Sequence, residues 1–314
     1  MKACIDIGGT KVAVSLADVT GAAGHGARPA LQARRSEPTA KTGDPGALAR
    51  QIVRLVDEAC VQAGLAPTAV TTAGVASCGP FVVNSGQIEL AAPNICGGLA
   101  GPARGLPNDW ATALLEAPLR QRFATLRIEN DAAAALAAER RWGALQGLDH
   151  CAYVTWSTGV GVGLCVDGRV LRGKHGNAGH AGHMFVSDDD SALCGCGNLG
   201  DVEALVAGNA VARRWGGDAA AWMAAARAGD PAALAHVDGM CRVMGRMLYN
   251  LVVTLDLQRV SLGGGLFWHH RDFLLPRLQA ELAGRLPALT SGVDLVAAGL
   301  GNEVGDYAAL ALVA

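Results

Sequence analysis

The chain has 314 residues, of which 51% are hydrophobic, 17% charged and only 4% aromatic, with a formal net charge of −2. Such a length suits one large or two ordinary domains with a sizeable core, and the near-neutral charge argues against an electrostatic platform for nucleic acid or membrane. Nine cysteines are an odd number; with no signal-peptide h-region and no apolar run near the roughly 18 residues of a spanning helix, they read as reduced thiols in a cytoplasmic protein.

Residues 2–7 read as a strand, and Gly8-Gly9 predicts a tight turn with positive φ and close backbone approach. Strand alternation resumes over 12–16, while residues 21–45 are polar, rich in Gly and Pro, and read as hairpin and loop. Asp44-Pro45 predicts a helix start with an N-cap and a first-turn proline. Leu48, Ile52, Leu55, Val56, Ala59 and Cys60 then share one helical face. A strand over 69–75 leads to the turn Ser77-Cys78-Gly79-Pro80, and Asn108 is expected to cap a helix reaching about residue 121. A strand over 125–129 ends at Asn130-Asp131, before an alanine-rich helix over 132–143.

In the second half, strands over 152–156 and 160–166 flank Ser157-Thr158-Gly159, and Asp167-Gly168 is a hairpin turn signal. A long helix is expected after Asp230-Pro231, to about residue 255. A strand over 259–262 runs into Gly263-Gly264-Gly265. The second strand–turn–strand echoes the first and hints at a duplicated plan.

Three glycine clusters are candidate phosphate or nucleotide loops. Backbone N–H groups in the Gly8-Gly9-Thr10 turn and in Ser157–Gly163 can cradle an anion, and Gly263-Gly264-Gly265 precedes a helix whose N-terminus favours phosphate. Each also fits an ordinary tight turn. Asp131 is a candidate general base for a hydroxyl attacking a phosphoryl group, with Asn130 holding a neighbouring hydroxyl; from local sequence alone a plain helix N-cap is the better explanation of Asp131, and one Asp can do both. His175, His180 and His183 precede Cys194-Gly195-Cys196-Gly197. Histidine followed by Cys-x-Cys, with Asp201 as the nearest fourth ligand, reads as a zinc site or as two free thiols in a glycine-rich loop.

These segments together resemble ROK sugar kinases over nearly the whole chain. The resemblance is carried by Asp6-Ile7-Gly8-Gly9-Thr10-Lys11, Pro93-Asn94, Glu129-Asn130-Asp131-Ala132, Ser157-Thr158-Gly159-Val160-Gly161, Gly179-His180-Ala181-Gly182-His183, Cys194 to Gly200, and Leu262-Gly263-Gly264-Gly265. It implies an α/β, two-lobed actin-like ATPase (ribonuclease H-like) fold with a cleft between the lobes. The lobes are expected over 1–121 and 122–301, with a zinc-loop insertion around 175–206. A helix over 302–314 would pack back on the first lobe.

The resemblance also implies ATP-dependent 6-phosphorylation of a sugar. Gly8, Gly9, Thr10, Lys11, Thr158 and Gly159 would surround the ATP phosphates, Asp6 would place Mg²⁺, and Gly263 and Gly264 would lie near the adenosine. Gly79, Asn94, Asn130, Asp131, His180 and His183 would contact the sugar, with Asp131 taking the 6-hydroxyl proton. His183, Cys194, Cys196 and Asp201 would hold a structural zinc, and Glu203 resembles a residue that shapes the metal subdomain. A homodimer is implied, with no nucleic-acid or membrane partner. ROK-like repressors carry a helix-turn-helix ahead of the first phosphate loop, which here begins at Asp6.

Two departures bear on substrate and metal. Many members carry Glu-x-Gly-His where this chain has His180-Ala181-Gly182-His183. An imidazole presents one acceptor at most, so selectivity near C1 and C2 should change. The Gly-His-x-Gly-His form is similar to bacterial N-acetylmannosamine kinases, which makes that sugar the leading candidate over glucose, mannose, N-acetylglucosamine or kanosamine. Asp201 stands where the family usually has a cysteine, and a carboxylate makes a weaker, pH-dependent zinc ligand. Polyphosphate is the alternative donor to ATP, and a non-catalytic sugar-sensing protein is the alternative to an enzyme.

Overall fold

A computed structural model describes residues 1–19, 28–100 and 105–314. The chain forms two compact units, one of residues 1–142, 172–178 and 303–314, the other of residues 143–171 and 179–302. The strands of the first unit are β1 (Lys2–Ile7), β2 (Lys11–Ala17), β3 (Leu31–Pro38), β4 (Thr72–Ser77), β5 (Phe81–Asn84), β6 (Gln87–Leu90), β7 (Ala113–Leu114) and β8 (Thr125–Asn130). Its helices include α1 (Ala47–Gln62), α2 (Gly97–Ala100), α3 (Glu116–Arg122), α4 (Asp131–Trp142) and the C-terminal helix Val304–Ala311. The main sheet has the order β3-β2-β1-β4-β8, antiparallel through β3, β2 and β1 and parallel from β1 to β8. β5, β6 and β7 form a small antiparallel sheet.

The α1 stripe is buried as its spacing requires: Leu48, Ile52, Leu55, Val56, Ala59 and Cys60 join Ala3, Ile5 and Ile7 of β1 in one core cluster. Each aliphatic side chain so buried contributes about 1.5–3 kcal/mol. The C-terminal helix packs on α4, β1 and β4. Gly74 of β4 lies so close to it that a Cβ would overlap the Ala309 carbonyl.

Several local expectations need correction. Helix α1 starts at Ala47 with Gly46 as N-cap; the Asp44 side chain instead accepts a hydrogen bond from the Gly46 amide at 2.8 Å. Asn108 caps no helix. Its side chain accepts from the amides of Gly97 and Trp110 and donates to the carbonyls of Lys41 and Ile95, stitching a loop, while α3 begins at Glu116. The stretch 21–45 read as hairpin and loop does supply β3, antiparallel to β2, and its residues 21–27 lie outside the described residues. Residues 122–142, expected with the second lobe, belong to the first unit, because β8 pairs along the full length of β4 and α4 packs against both strands.

The second unit repeats the sheet plan. It contains β9 (Cys151–Trp156), β10 (Val160–Val166), β11 (Arg169–Val170), β12 (Arg259–Gly263) and β13 (Asp294–Ala297), in the order β11-β10-β9-β12-β13. Three strands are again antiparallel and two parallel pairs follow. The β10–β11 turn has positive φ at both Asp167 and Gly168, the conformation a two-residue hairpin of this twist requires. Between β11 and β12 lie the cysteine-containing loop and helices α5 (Val202–Val206), α6 (Gly208–Trp215), α7 (Ala219–Arg227) and α8 (Pro231–Leu255). Asp230 caps α8, accepting from the Ala233 amide at 2.8 Å. After β12 come α9 (Gly265–His269), α10 (Arg271–Leu282) and α11 (Pro287–Thr290). Among the described residues, no helix is long and apolar enough to cross a membrane.

Candidate active site and metal centre

Register assembles the first group of residues. Ile7 of β1 pairs with Ser77 of β4, and Ser77 pairs with Asn130 of β8. The chain therefore leaves three neighbouring parallel strands at one edge, at Gly8, Cys78 and Asp131. Ligands of open α/β sheets bind outside such carboxyl ends.

Asn130, not Asp131, is the cap of α4. Its Oδ1 accepts from the amides of Ala132 at 3.0 Å and Ala133 at 3.4 Å, and the residue is 7% exposed. Asp131 is half-buried and its Oδ1 accepts from the Ala132 amide at 2.8 Å. The cap explanation for Asp131 is thus displaced by its neighbour.

Asp6 faces the same edge. Burial, and next the Asp131 carboxylate, push its pKa up to about 7, against the opposing pull of Lys11 and Arg34. The Cys78 thiol is pushed up as well, by burial first and then by Asp131 and Asp6. Asp6, Cys78 and Asp131, each half-buried, thus act on one another electrostatically.

Neither Gly8 nor Gly9 has positive φ, contrary to the turn expectation. Gly9 is needed for space: a Cβ there would overlap the side-chain amide of exposed Asn94. The Gly8–Lys11 turn closes through the Gly8 amide donating to the Lys11 carbonyl at 2.9 Å. Thr39 pins it, its hydroxyl donating to the Gly8 carbonyl at 2.7 Å. Thr10 and Lys11 are exposed. Gly79 is half-buried in the following turn, where the Asn177 side chain accepts from the Phe81 amide at 2.8 Å and donates to its carbonyl at 2.7 Å. Nothing in local spacing pointed to Asn177, which is 96 residues from Phe81.

The second unit holds the other candidates. Ser157-Thr158-Gly159 joins β9 to β10, with Thr158 exposed. Amides at the start of α6 hold this loop, Gly208 donating to the Ser157 carbonyl at 2.8 Å and Asn209 to that of Thr158 at 3.5 Å. Gly263 ends β12 against the Tyr153 ring, and Gly264, at φ +86°, lies so close to the Trp156 backbone that a Cβ would sit 2.6 Å from its N and O.

The histidine segment lies flush on β10. A Cβ on Gly179 would overlap the Val162 carbonyl, and one on Gly182 the Val160 carbonyl. The short 3₁₀ turn Ala181–His183 then presents His180 and His183 with stacked rings, centroids 6.2 Å apart. His183 Nδ1 lies 3.0 Å from Asp201 Oδ2 and 3.7 Å from Cys194 Sγ, while Cys196 Sγ is 3.4 Å from the same Asp201 oxygen. The ligand atoms of His183, Cys194, Cys196 and Asp201 all lie within 4.8 Å of one another. His175 is not in this cluster. Asp201 is fully buried and uses its other oxygen to cap α5, accepting from the Ala204 amide at 2.8 Å.

Electrostatics within the cluster follow from these contacts. The Asp201 hydrogen bond raises the His183 pKa. Burial pushes Asp201 up, but hydrogen bonds from His183, the Ala204 amide and Cys194 outweigh it and hold the carboxyl below its ordinary value. Burial raises the Cys194 thiol. One imidazole nitrogen, two sulfurs and one carboxylate oxygen at this spacing fit a tetrahedral zinc ion.

A glucokinase from Aeropyrum pernix is 30% identical over 268 residues, covering 77% of this chain and 79% of the relative. An N-acetylmannosamine kinase from Salmonella arizonae is 32% identical over 271 residues, covering 83% and 81%. The crystal structure of a ROK hexokinase from Thermus thermophilus superposes with a TM-score of 0.72 at 30% identity, covering 99% of this chain and 97% of that one. The ROK family model matches residues 2–314, and the chain belongs to the ROK family.

Proposed function

We propose that this chain transfers the γ-phosphoryl group of ATP to the 6-hydroxyl of a hexose or N-acylhexosamine, with N-acetylmannosamine as leading acceptor. The observation that carries the reading is the strand edge where Asp131 acts electrostatically on half-buried Asp6, in a chain with the ROK motifs. Asp131 would accept the hydroxyl proton while the Ala132 amide fixes one of its oxygens. Asn94, Asn130, Gly79, His180 and His183 would contact the sugar. Gly8, Gly9, Thr10, Lys11, Thr158 and Gly159 would supply the phosphate contacts, and Gly263 and Gly264 the surface for the adenosine. Asp6 and its neighbouring carboxylate are hard oxygen donors suited to Mg²⁺ and its waters. Bound there, the ion would neutralise charge on the transferring phosphoryl.

The His183, Cys194, Cys196 and Asp201 set would hold zinc. Its structural role would be to fix the His183 ring, with Nδ1 on the metal side and Nε2 left for the sugar. The expected content is about one zinc per chain by elemental mass spectrometry. Asp201→Ala should lose that metal and also the α5 cap, a further loss of about 1 kcal/mol. Full zinc retention in Asp201→Ala would remove the carboxylate from the ligand set.

Substrate choice is tested at His180. A coupled ADP-release assay across N-acetylmannosamine, glucose, mannose, N-acetylglucosamine and kanosamine is expected to rank N-acetylmannosamine first by kcat/KM. His180→Glu should move the preference toward glucose by about tenfold or more, the scale on which pairing or orphaning a single polar group discriminates two sugars. A wild-type preference for glucose that His180→Glu leaves unmoved would discard both the substrate and the role of His180. The glucose-type acceptor is the second reading, and similarity to the Aeropyrum glucokinase favours it.

A further inference from the structure

We infer that Asn177 is a positioning residue for the sugar, holding the turn that carries Gly79 through the backbone of Phe81. The inference rests on the phosphoryl-transfer reading, in which Gly79, Asn130 and Asp131 contact the sugar. A glycine offers a ligand only its backbone, so what Gly79 can do depends on what fixes the peptides around it. On one side the Cys78 amide is tied to the Ile7 carbonyl at 2.8 Å. On the other side the tie is Asn177.

Phe81 opens β5, the outer strand of its three-stranded sheet. The Ala91 amide donates to the Pro80 carbonyl at 2.9 Å, so Phe81 and Leu90, the next pair in the register, form a non-hydrogen-bonded rung. The Phe81 N–H and C=O therefore point away from β6, toward the outer edge of the sheet. Phe81 is 2% exposed, and backbone polar groups so placed must find partners. Asn177 serves both as a neighbouring strand would. Its Oδ1 accepts from the amide at 2.8 Å, and its Nδ2 donates to the carbonyl at 2.7 Å.

Asn177 lies in a short loop, residues 172–178, whose contacts assign it to the first unit although the chain on either side of it belongs to the second. The Ala178 amide closes this loop on the Arg172 carbonyl at 3.0 Å. Gly176, at φ +81°, lies against Phe81, where a Cβ would come 3.4 Å from the ring. Arg172 makes a second anchor, its guanidinium pairing with the carboxylate of Glu129. The loop thus grips the first unit two residues after Gly79 and again immediately before Asn130-Asp131.

Aspartate has the shape of asparagine and keeps an acceptor for the Phe81 amide. Ionised, it has no donor and turns an oxygen toward the Phe81 carbonyl. Alanine loses both bonds. The test is steady-state kinetics at neutral pH on the full chain and on Asn177→Asp and Asn177→Ala, with Mg²⁺, ATP and whichever of N-acetylmannosamine and glucose the wild type phosphorylates. Sugar affinity without nucleotide is measured by calorimetry, and thermal stability is followed in parallel. Both variants are expected to raise the sugar KM and Kd by about tenfold or more, within the range that a misplaced binding group costs, while the KM for ATP stays within about threefold of wild type. If the Asp variant binds sugar like wild type, if the KM for ATP rises as much as that for sugar, or if only thermal stability falls, the inference is overturned and the phosphoryl-transfer reading stands. A wild-type protein that phosphorylates neither sugar overturns that reading for these acceptors, and the inference with it. Should Asn177→Ala fail to fold, the isosteric Asp variant carries the same comparison.

Discussion

Asp131→Asn should lower kcat by about 10²–10⁴-fold, the usual contribution of a positioned general base, with fold and sugar affinity retained. The substitution keeps an oxygen that can accept from the Ala132 amide at the wild-type position. Helix α4 is not at risk, because its cap is the Asn130 side chain, which reaches the amides of Ala132 and Ala133. What disappears is the lone pair that takes the proton. Steady-state kinetics with a parallel binding titration separate the cases. Turnover within about threefold of wild type, with sugar bound normally, would remove Asp131 from the base role.

Asp6→Asn is expected to act in opposite directions on stability and on turnover. Burial and the adjacent Asp131 carboxylate raise the folded pKa of Asp6 from 3.8 to about 7. Between about pH 4 and 7 the folded chain therefore holds a proton that the unfolded chain has released. Stability falls as pH rises through that window, and above it the full penalty applies. A shift of about three pH units corresponds to roughly 4 kcal/mol as an upper scale. The asparagine variant carries no such penalty. Without Mg²⁺ it should melt well above wild type at pH 8, and the difference should shrink toward zero near pH 4. Phosphoryl transfer should fall by orders of magnitude, since the proposed Mg²⁺ carboxylate is gone. An equal melting difference at both pH values would show that Asp6 is not the group under strain. A site that favours a cation over an empty, doubly acidic edge is a case of stability given up for function.

Much of the fold was legible in the sequence because it is local. The α1 face follows from helical spacing, and all six expected residues are buried. Asp167-Gly168 predicts its own turn, since both positions take positive φ. Asp230-Pro231 marks a helix start that the Asp230 cap completes. The similarity of the two strand–turn–strand segments extends to matching strand order in the two sheets.

What local sequence did not show depends on contacts between distant residues. Gly9 reads as a turn glycine, yet it is required by Asn94, 85 positions along the chain. Asn130 and Asp131 are both plausible caps by type, and only the geometry at the end of β8 separates them. Asn108 looks like a helix cap but serves carbonyls at Lys41 and Ile95. Asn177 and Glu203 act on backbone groups of other segments, so no spacing rule finds them. The position of β8 beside β4 likewise moves residues 122–142 out of the lobe expected from motif order.

The central claim is the transfer itself, and ³¹P NMR of the product tests it most directly. Wild-type protein with Mg²⁺, ATP and N-acetylmannosamine should yield a sugar 6-phosphate resonance that grows in step with ADP, and Asp131→Asn should yield neither on the same timescale. The glucose reading is checked with the same experiment on glucose. ADP without any sugar phosphate, or no turnover on any hexose in a protein that binds sugar and nucleotide, would contradict the account.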